Sequence, residues 1–371
     1  MKILIMNDLI AGGGVENVMQ ELVRYLQGKG HNITIGTTTG SRKEVHKYYP
    51  SGVHFFSIEP SFAYTKNKSI ARLFYALCSR LKRWWALLLM KTKYDIAIAM
   101  KEGPTMKEVV LSGAKKKIAW VHTDYQRMHW TAYCFDSDEE EVACMKKFDH
   151  VICVSNAVAD SIKNTIGDSG NLIVKYNPIN YKRIISLAEQ SSVIKKPQDK
   201  FLFVAVGRIV DEKNYHLLVN VCAELKKKHD FELWILGDGD QRAEIESIVN
   251  QLECSFVHML GNQENPYPLI RQADCLVSAS KVESYGLAIQ EALVLGVPVV
   301  TTKCPAIKEV FDARCGILCD STFDGLYKAM ETVIMEPALL HKYRENIKRY
   351  FRLEDLYENR LVDICSLWGL T

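Results

Sequence analysis

Short apolar runs alternate with amphipathic stretches along the 371 residues of the chain. The segments at residues 2–6, 95–99, 117–121 and 150–154 each carry four consecutive apolar residues, as expected of strands covered on both faces, and Ile33-Thr34-Ile35 reads as a further short strand. Between the first two, residues 15–26 carry the spacing of an amphipathic helix, and Gly28 and Gly30 end it. The pattern restarts at residues 201–206 and continues with strands at 232–236, 255–260, 275–277 and 297–301 and a helix over 216–228. Strands alternating with helices predict an α/β protein with two doubly wound parallel sheets. A polar connector over residues 181–200, rich in Lys, Ser and Gln, separates the halves, and no internal repeat or low-complexity segment is present. In such sheets ligands bind beyond the carboxyl ends of the strands, so the residues just after each apolar run are the candidates for chemistry.

Several of those positions are distinctive. Gly12-Gly13-Gly14 follows the first strand and precedes a helix, which suits backbone contact with phosphate. A dinucleotide fingerprint would need Gly-x-Gly-x-x-Gly, but Asn17 fills the last slot. The second strand ends in Gly36-Thr37-Thr38 without the acid that holds an adenosine ribose, which argues against an NAD enzyme. Arg208 and Lys213 flank a loop after the strand at 201–206. Two cations at that spacing can clamp a diphosphate and neutralise a leaving group without metal; the alternative is a surface pair with Asp211 and Glu212. His122 stands at a strand end in Trp120-Val121-His122-Thr123-Asp124, where it can donate to a hydroxyl or move a proton, or simply cap and pack.

The stretch from Glu283 through Ser284, Tyr285, Gly286 and Leu287 to Glu291 reads as the opening of a helix. Its N-terminus offers free amides to a phosphate, Gly286 permits close backbone approach, and two glutamates eight apart can share a face and accept sugar hydroxyls. The alternative is an amphipathic helix with solvated acids. Two Asp-x-Asp triplets, at 136–138 and 238–240, read as structural turns rather than metal ligands.

A hydrophobic content of 48% and a charged content of 25% are those of a globular protein. The eleven cysteines show no paired spacing, so free thiols in a reducing cytoplasm are expected. Cys315 and Cys319 lack the partners of a zinc site. No run of 18 apolar residues occurs, so no membrane span is expected. The net charge of +3 hides an asymmetry. Residues 1–178 hold 24 Lys+Arg against 17 Asp+Glu, and the remainder 23 against 27, so the halves differ by sign at +7 and −4. Much of the excess lies from Lys66 to Lys93, with Trp84 and Trp85 interleaved. That pattern fits contact with an anionic membrane surface or a long helix packed on the sheet; no nucleic-acid motif accompanies it.

Taken in order, these residues resemble the large family of retaining GT-B glycosyltransferases, also called group 1. The resemblance covers nearly the whole chain: Gly13-Gly14-Val15-Glu16, Val154-Ser155-Asn156, Tyr176-Asn177-Pro178, Val206-Gly207-Arg208 with Lys213-Asn214, Leu236-Gly237-Asp238-Gly239, Ala273-Asp274 with Ser278, and the Glu-x7-Glu spacing of Glu283 and Glu291. Tyr285 replaces the more usual Phe. The resemblance implies two Rossmann-like domains facing across a cleft, at 1–180 and 181–345, with a C-terminal helix in 346–371 crossing back to the first. It also implies that Arg208 and Lys213 bind the donor diphosphate and that Glu291 holds the ribose. Glu283 and the backbone of Tyr285, Gly286 and Leu287 would take the sugar and phosphate, and Gly13 and Gly14 would approach the phosphates. His122 would sit near the anomeric carbon, and Lys101, Asp124 and Arg127 would face the acceptor.

The implied reaction moves a hexose or N-acetylhexosamine from a nucleotide-sugar, UDP favoured over GDP, to a lipid-linked or oligosaccharide acceptor in capsular, exopolysaccharide or O-antigen assembly. It would proceed with retention, without metal or other cofactor, in the cytoplasm or on the inner face of the membrane. Replacing Arg208 or Lys213 by Ala should cut transfer while leaving the fold intact. Two rivals share the fold: an inactive nucleotide-sugar-binding scaffold, and a nucleotide-sugar 2-epimerase that needs no acceptor.

Overall fold

The structure, a computed structural model, describes residues 1–10, 12–38, 40–58, 84–85, 88–91 and 94–369. The basic stretch from Lys66 to Lys93 therefore lies largely outside the described residues. The chain divides into two compact units, Met1–Pro178 with Glu358–Thr371, and Ile179–Tyr357.

The first unit is built on β1 (Lys2–Asn7), β2 (Asn32–Thr37), β3 (His54–Ser57), β4 (Ile96–Ala99), β5 (Lys116–Val121), β6 (His150–Cys153) and β7 (Leu172–Val174). All pair in parallel, in the order β3-β2-β1-β4-β5-β6-β7. The second is built on β8 (Phe201–Val206), β9 (Phe231–Leu236), β10 (Val257–Gly261), β11 (Cys275–Ser278), β12 (Val299–Thr302) and β13 (Gly316–Cys319). These are also parallel, in the order β10-β9-β8-β11-β12-β13. The continuous apolar runs are explained by this topology. Every residue of β4 and of β9 is buried, because a parallel strand in mid-sheet is covered on both faces. The one acid in β9, Glu232, is offset by Lys200 Nζ and His258 Nε2, each 2.6 Å away.

Three strands were not legible in the apolar pattern: β3, β7 and β13. All three lie at sheet edges and have four, three and four residues. An edge strand pairs on one side only, so it needs fewer buried apolar positions; every residue of β7 is half-buried. The return to the first unit, expected from 346, begins at Glu358 instead. The helix Pro337–Tyr350 stays with the second unit because its Leu340 and Ile347 are buried in that unit's two core clusters. The last helix, Glu358–Ser366, buries Leu361, Ile364 and Cys365. It is tied to the first unit by Lys175–Asp363 at 2.6 Å and by Arg360 Nη1 donating to the Asn177 carbonyl at 2.8 Å.

Each strand order reverses once, between β1 and β4 and between β8 and β11. At such a reversal the flanking helices leave on opposite faces and open a crevice at the carboxyl ends. An ion pair marks each reversal: Asp8–Lys101 at 2.8 Å in the first unit and Lys213–Glu283 at 2.6 Å in the second.

Candidate active site

In the second unit the crevice is lined by backbone brought close by glycine. Gly207 ends β8 at φ 154° and Gly237 ends β9 at φ 146°. A Cβ on Gly237 would lie 1.9 Å from the Gly207 carbonyl oxygen, so no other residue fits between these loops. The buried Tyr215 hydroxyl donates to that same carbonyl at 3.2 Å.

Lys213 closes the short 3-10 turn Asp211–Lys213 after β8, and Asn214 at φ 53° turns the chain into the helix Tyr215–Lys226. The turn is stitched to the loop after β11 by Lys281 N donating to the Glu212 carbonyl at 2.8 Å and by Lys281 Nζ–Asp211 at 2.7 Å. Asp211 is thus committed to Lys281, and Lys213 reaches Glu283 instead. Ser280 also donates to Glu283 Oε1, at 2.8 Å. The carboxylate is 12% exposed and the ammonium 25%, so the pair is sheltered on one side and open on the other. Arg208 is exposed, and its guanidinium has no hydrogen bond or ion pair among the described residues.

The Glu283 to Glu291 stretch departs from expectation in one respect. The helix starts at Leu287, with Gly286 as its N-cap at φ 77°. A left-handed N-cap breaks the helical register, so Glu283 stays in the preceding loop and the two glutamates do not share a helical face. No side chain caps this helix, which leaves its first amides open to an anion. Tyr285 is buried. Glu291, on the helix, accepts from the Tyr267 hydroxyl at 3.1 Å. Burial pushes its carboxyl up to about 7, against the opposing effect of that hydroxyl.

The first unit presents a different chemistry. Glu102, fully buried after β4, accepts from the His122 amide at 2.9 Å, from the Trp130 indole at 3.0 Å and from the Thr123 hydroxyl. The segment after β5 is thereby fixed with the His122 ring stacked on Trp120 at 6.0 Å. Burial pushes the imidazole down to about 4, against the pull of Glu102, and its Nε2 is buried with no partner among the described residues. Lys101, besides pairing with Asp8, lies 4.7 Å over the Trp130 ring. Asp124 is buried and accepts the amides of Gln126 and Arg127 in a tight turn, while Arg127 is exposed. Gly13 caps the helix Gly14–Gly28, and the Glu16 carboxylate folds back over it, 2.7 Å from where a Cβ would stand. That carboxylate already complements the helix dipole in the free protein.

Both Asp-x-Asp triplets are engaged locally. Ser137 caps the helix Asp138–Met145, and Asp238 accepts from Gly239 and Arg242. Among the described residues no cluster of His, Cys, Asp and Glu could hold a metal. Residues that the sequence did not single out are Asp8, Trp130, Tyr267 and Ser280. Asp8, Trp130 and Tyr267 act through partners far away in sequence, whereas the short spacing of Ser280 and Glu283 was there to be read.

The structure places Arg208, Lys213, Glu283, Gly286 and Glu291 in the segments that follow β8 and β11 of the second sheet, and Lys101, Glu102 and His122 in the segments that follow β4 and β5 of the first. Comparison with known proteins agrees with this division. The family model for glycosyl transferases group 1 matches residues 186–350, and that for Glycosyltransferase Family 4 matches residues 12–183. The lipopolysaccharide core biosynthesis glycosyltransferase LpsE of Rhizobium meliloti is 25% identical over 53% of this chain and 57% of its own length. One component of the human phosphatidylinositol N-acetylglucosaminyltransferase is 26% identical over 87% of this chain and 66% of its own. The chain thus spans less than two thirds of either curated relative. The crystal structure of Anabaena HepE in complex with UDP and glucose superposes with a TM-score of 0.78 over 100% of both chains at 18% identity, which establishes the fold. With both units matched in order and the two-sheet architecture shared from end to end, the chain belongs to the group 1 glycosyltransferases of GT-B fold.

Proposed function

We propose that this protein transfers a hexose or N-acetylhexosamine from a nucleotide-sugar, UDP-linked in preference to GDP-linked, to a lipid-linked or oligosaccharide acceptor of surface-polysaccharide assembly. The observation that carries the reading is the set after the carboxyl ends of β8 and β11: an unpaired Arg208 guanidinium, a sheltered Lys213–Glu283 pair, an uncapped helix start at Gly286 and a half-buried acceptor at Glu291. Arg208 and the helix start match a diphosphate, the Lys213–Glu283 pair a sugar hydroxyl, and Glu291 a ribose. HepE was crystallised with UDP and glucose, and LpsE is named for lipopolysaccharide core biosynthesis; both names favour this substrate class.

In the proposed reaction the diphosphate recruits Arg208 and draws Lys213 away from Glu283, which frees that carboxylate for sugar hydroxyls. The bond from the anomeric carbon to phosphate oxygen breaks, and its charge is taken by the two cations and the helix amides, so no metal is required. The acceptor hydroxyl adds on the same face and passes its proton to the departing phosphate, with retention of configuration. His122, held neutral, offers Nε2 as a hydrogen-bond acceptor for a hydroxyl rather than as an acid. Trp84 and Trp85 are 62% and 60% exposed, which supports contact of the surrounding basic stretch with an anionic bilayer.

The test is nucleotide release and product analysis with Arg208→Ala. A loss of turnover of about a hundredfold, from charge-assisted hydrogen bonds that form on the bound diphosphate and strengthen as it leaves, supports the reading. Near-normal transfer in that variant refutes it.

A further inference from the structure

Tyr267 belongs to none of the groups that the mechanism uses, yet it is the only hydrogen-bond partner of the Glu291 carboxylate among the described residues. Its position is heavily determined. Asn265-Pro266-Tyr267-Pro268 places a fixed φ on either side of it. The Asn265 side chain accepts the Tyr267 amide at 3.3 Å and donates to the Leu187 carbonyl and to Gln190 Oε1, each at 3.0 Å. The ring packs against the core cluster of Leu269, Ile289 and Leu293, so the hydroxyl is the part it presents to Glu291. A tyrosine held in this way is a rigid pointer, and it points at one oxygen of one carboxylate.

A carboxylate has about four acceptor sites over its two oxygens. Tyr267 occupies one on Oε1. The remaining ones suit two donors side by side, which is what a vicinal diol supplies. We propose that Tyr267 is a positioning residue that aims Glu291 at the 2′- and 3′-hydroxyls of the donor's ribose and makes the site select ribonucleotides over deoxyribonucleotides. The inference rests on the reading of Glu291 as the ribose ligand.

Two physical consequences follow. A half-buried acceptor left without its hydroxyl rejects the analogue that lacks it more strongly than a fully exposed one would. Ionisation of Glu291 is set by burial upward and by the Tyr267 hydroxyl downward, with no charged group among the described residues contributing. Removing the hydroxyl raises the carboxyl further, so the deionised fraction near pH 7 grows and a diol finds fewer acceptor sites. The defect should shrink at higher pH, where the carboxylate is ionised in both proteins.

The experiment is calorimetric titration of the intact protein and its Tyr267→Phe and Glu291→Gln variants with UDP, GDP and their 2′-deoxy counterparts, from pH 6 to 8.5. In the unaltered protein, loss of the 2′-hydroxyl is expected to weaken binding by about tenfold or more. In Tyr267→Phe the ribonucleotide should lose about tenfold near pH 7 and less at pH 8.5, and discrimination against the deoxynucleotide should narrow. A Tyr267→Phe protein with unchanged discrimination and pH profile overturns the role of Tyr267. So does equal weakening of both nucleotides at every pH, which is the result of a merely structural role. Full discrimination in Glu291→Gln overturns the underlying ribose reading, and failure of the unaltered protein to bind any nucleotide overturns both.

Discussion

Replacing Lys213 by Ala separates two effects that the sequence alone would merge. In the free protein its ammonium stands 2.6 Å from Glu283, whose carboxylate is 12% exposed. The variant leaves that charge with Ser280 as its one remaining side-chain donor among the described residues. Removing one partner of a fully buried pair costs about 3–5 kcal/mol, and the open side of this one reduces that to about 2 kcal/mol. For a unit of this size the loss corresponds to a Tm drop of about 4–8 °C. Arg208→Ala, at an exposed and unpaired side chain, should shift Tm by less than about 2 °C, since surface changes stay within about 0.5 kcal/mol. Adding Glu283→Gln to Lys213→Ala removes the stranded charge and should restore most of the lost Tm, without restoring nucleotide-sugar binding. Differential scanning calorimetry on the four proteins, with calorimetric titration of UDP, reads both quantities. A Lys213→Ala protein with unaltered Tm, or no recovery in the double variant, would refute the view that the ion pair holds the site before the donor arrives.

Other outcomes follow from the same geometry. Glu102→Ala leaves the Trp130 indole, the Thr123 hydroxyl and the His122 amide without their shared acceptor. At about 1–3 kcal/mol per stranded group it should destabilise the first unit by about 3 kcal/mol and change tryptophan fluorescence. Gly237→Ala forces a Cβ to 1.9 Å from a carbonyl oxygen, so a loss of at least about 2 kcal/mol and of UDP binding is expected in denaturant titration. His122 is held down to about 4 by burial, so it stays neutral across the working range; the pH–rate profile should lack a limb near 6.5 that His122→Asn removes. Glu291 is lifted to about 7, above its unfolded value, so its protonated form is favoured in the native state. Thermal stability of the free protein should therefore fall as pH rises from about 4.5 to 7, and bound UDP should reverse that slope if its ribose hydroxyls pair the carboxylate.

Much of the fold was legible because parallel strands are buried on both faces and leave unbroken apolar runs. Phe201–Val206 is an example, and the glycines that follow it and Phe231–Leu236 mark the crevice. The edge strands were not legible, since a four-residue strand such as Gly316–Cys319 pairs on one side and leaves no comparable run. The site was legible as a set of residue types and spacings, but its wiring was not. Lys213 and Glu283 are 70 residues apart, and the proximity of Asp211 suggested the wrong partner. Gly286 was read as a point of close approach; its left-handed backbone also places Glu283 off the helix, a consequence that composition does not reveal. Tyr267 sits between prolines at the start of the short helix Tyr267–Ile270, and its role depends on a residue of another helix 24 positions away.

Titration of the intact protein with a panel of UDP-sugars and GDP-sugars, with and without EDTA, tests the donor site most directly. The predicted result is saturable binding of one nucleotide-sugar that EDTA does not change and that Arg208→Ala weakens by about tenfold or more. Absence of binding to every nucleotide-sugar, or binding that EDTA abolishes, would contradict it.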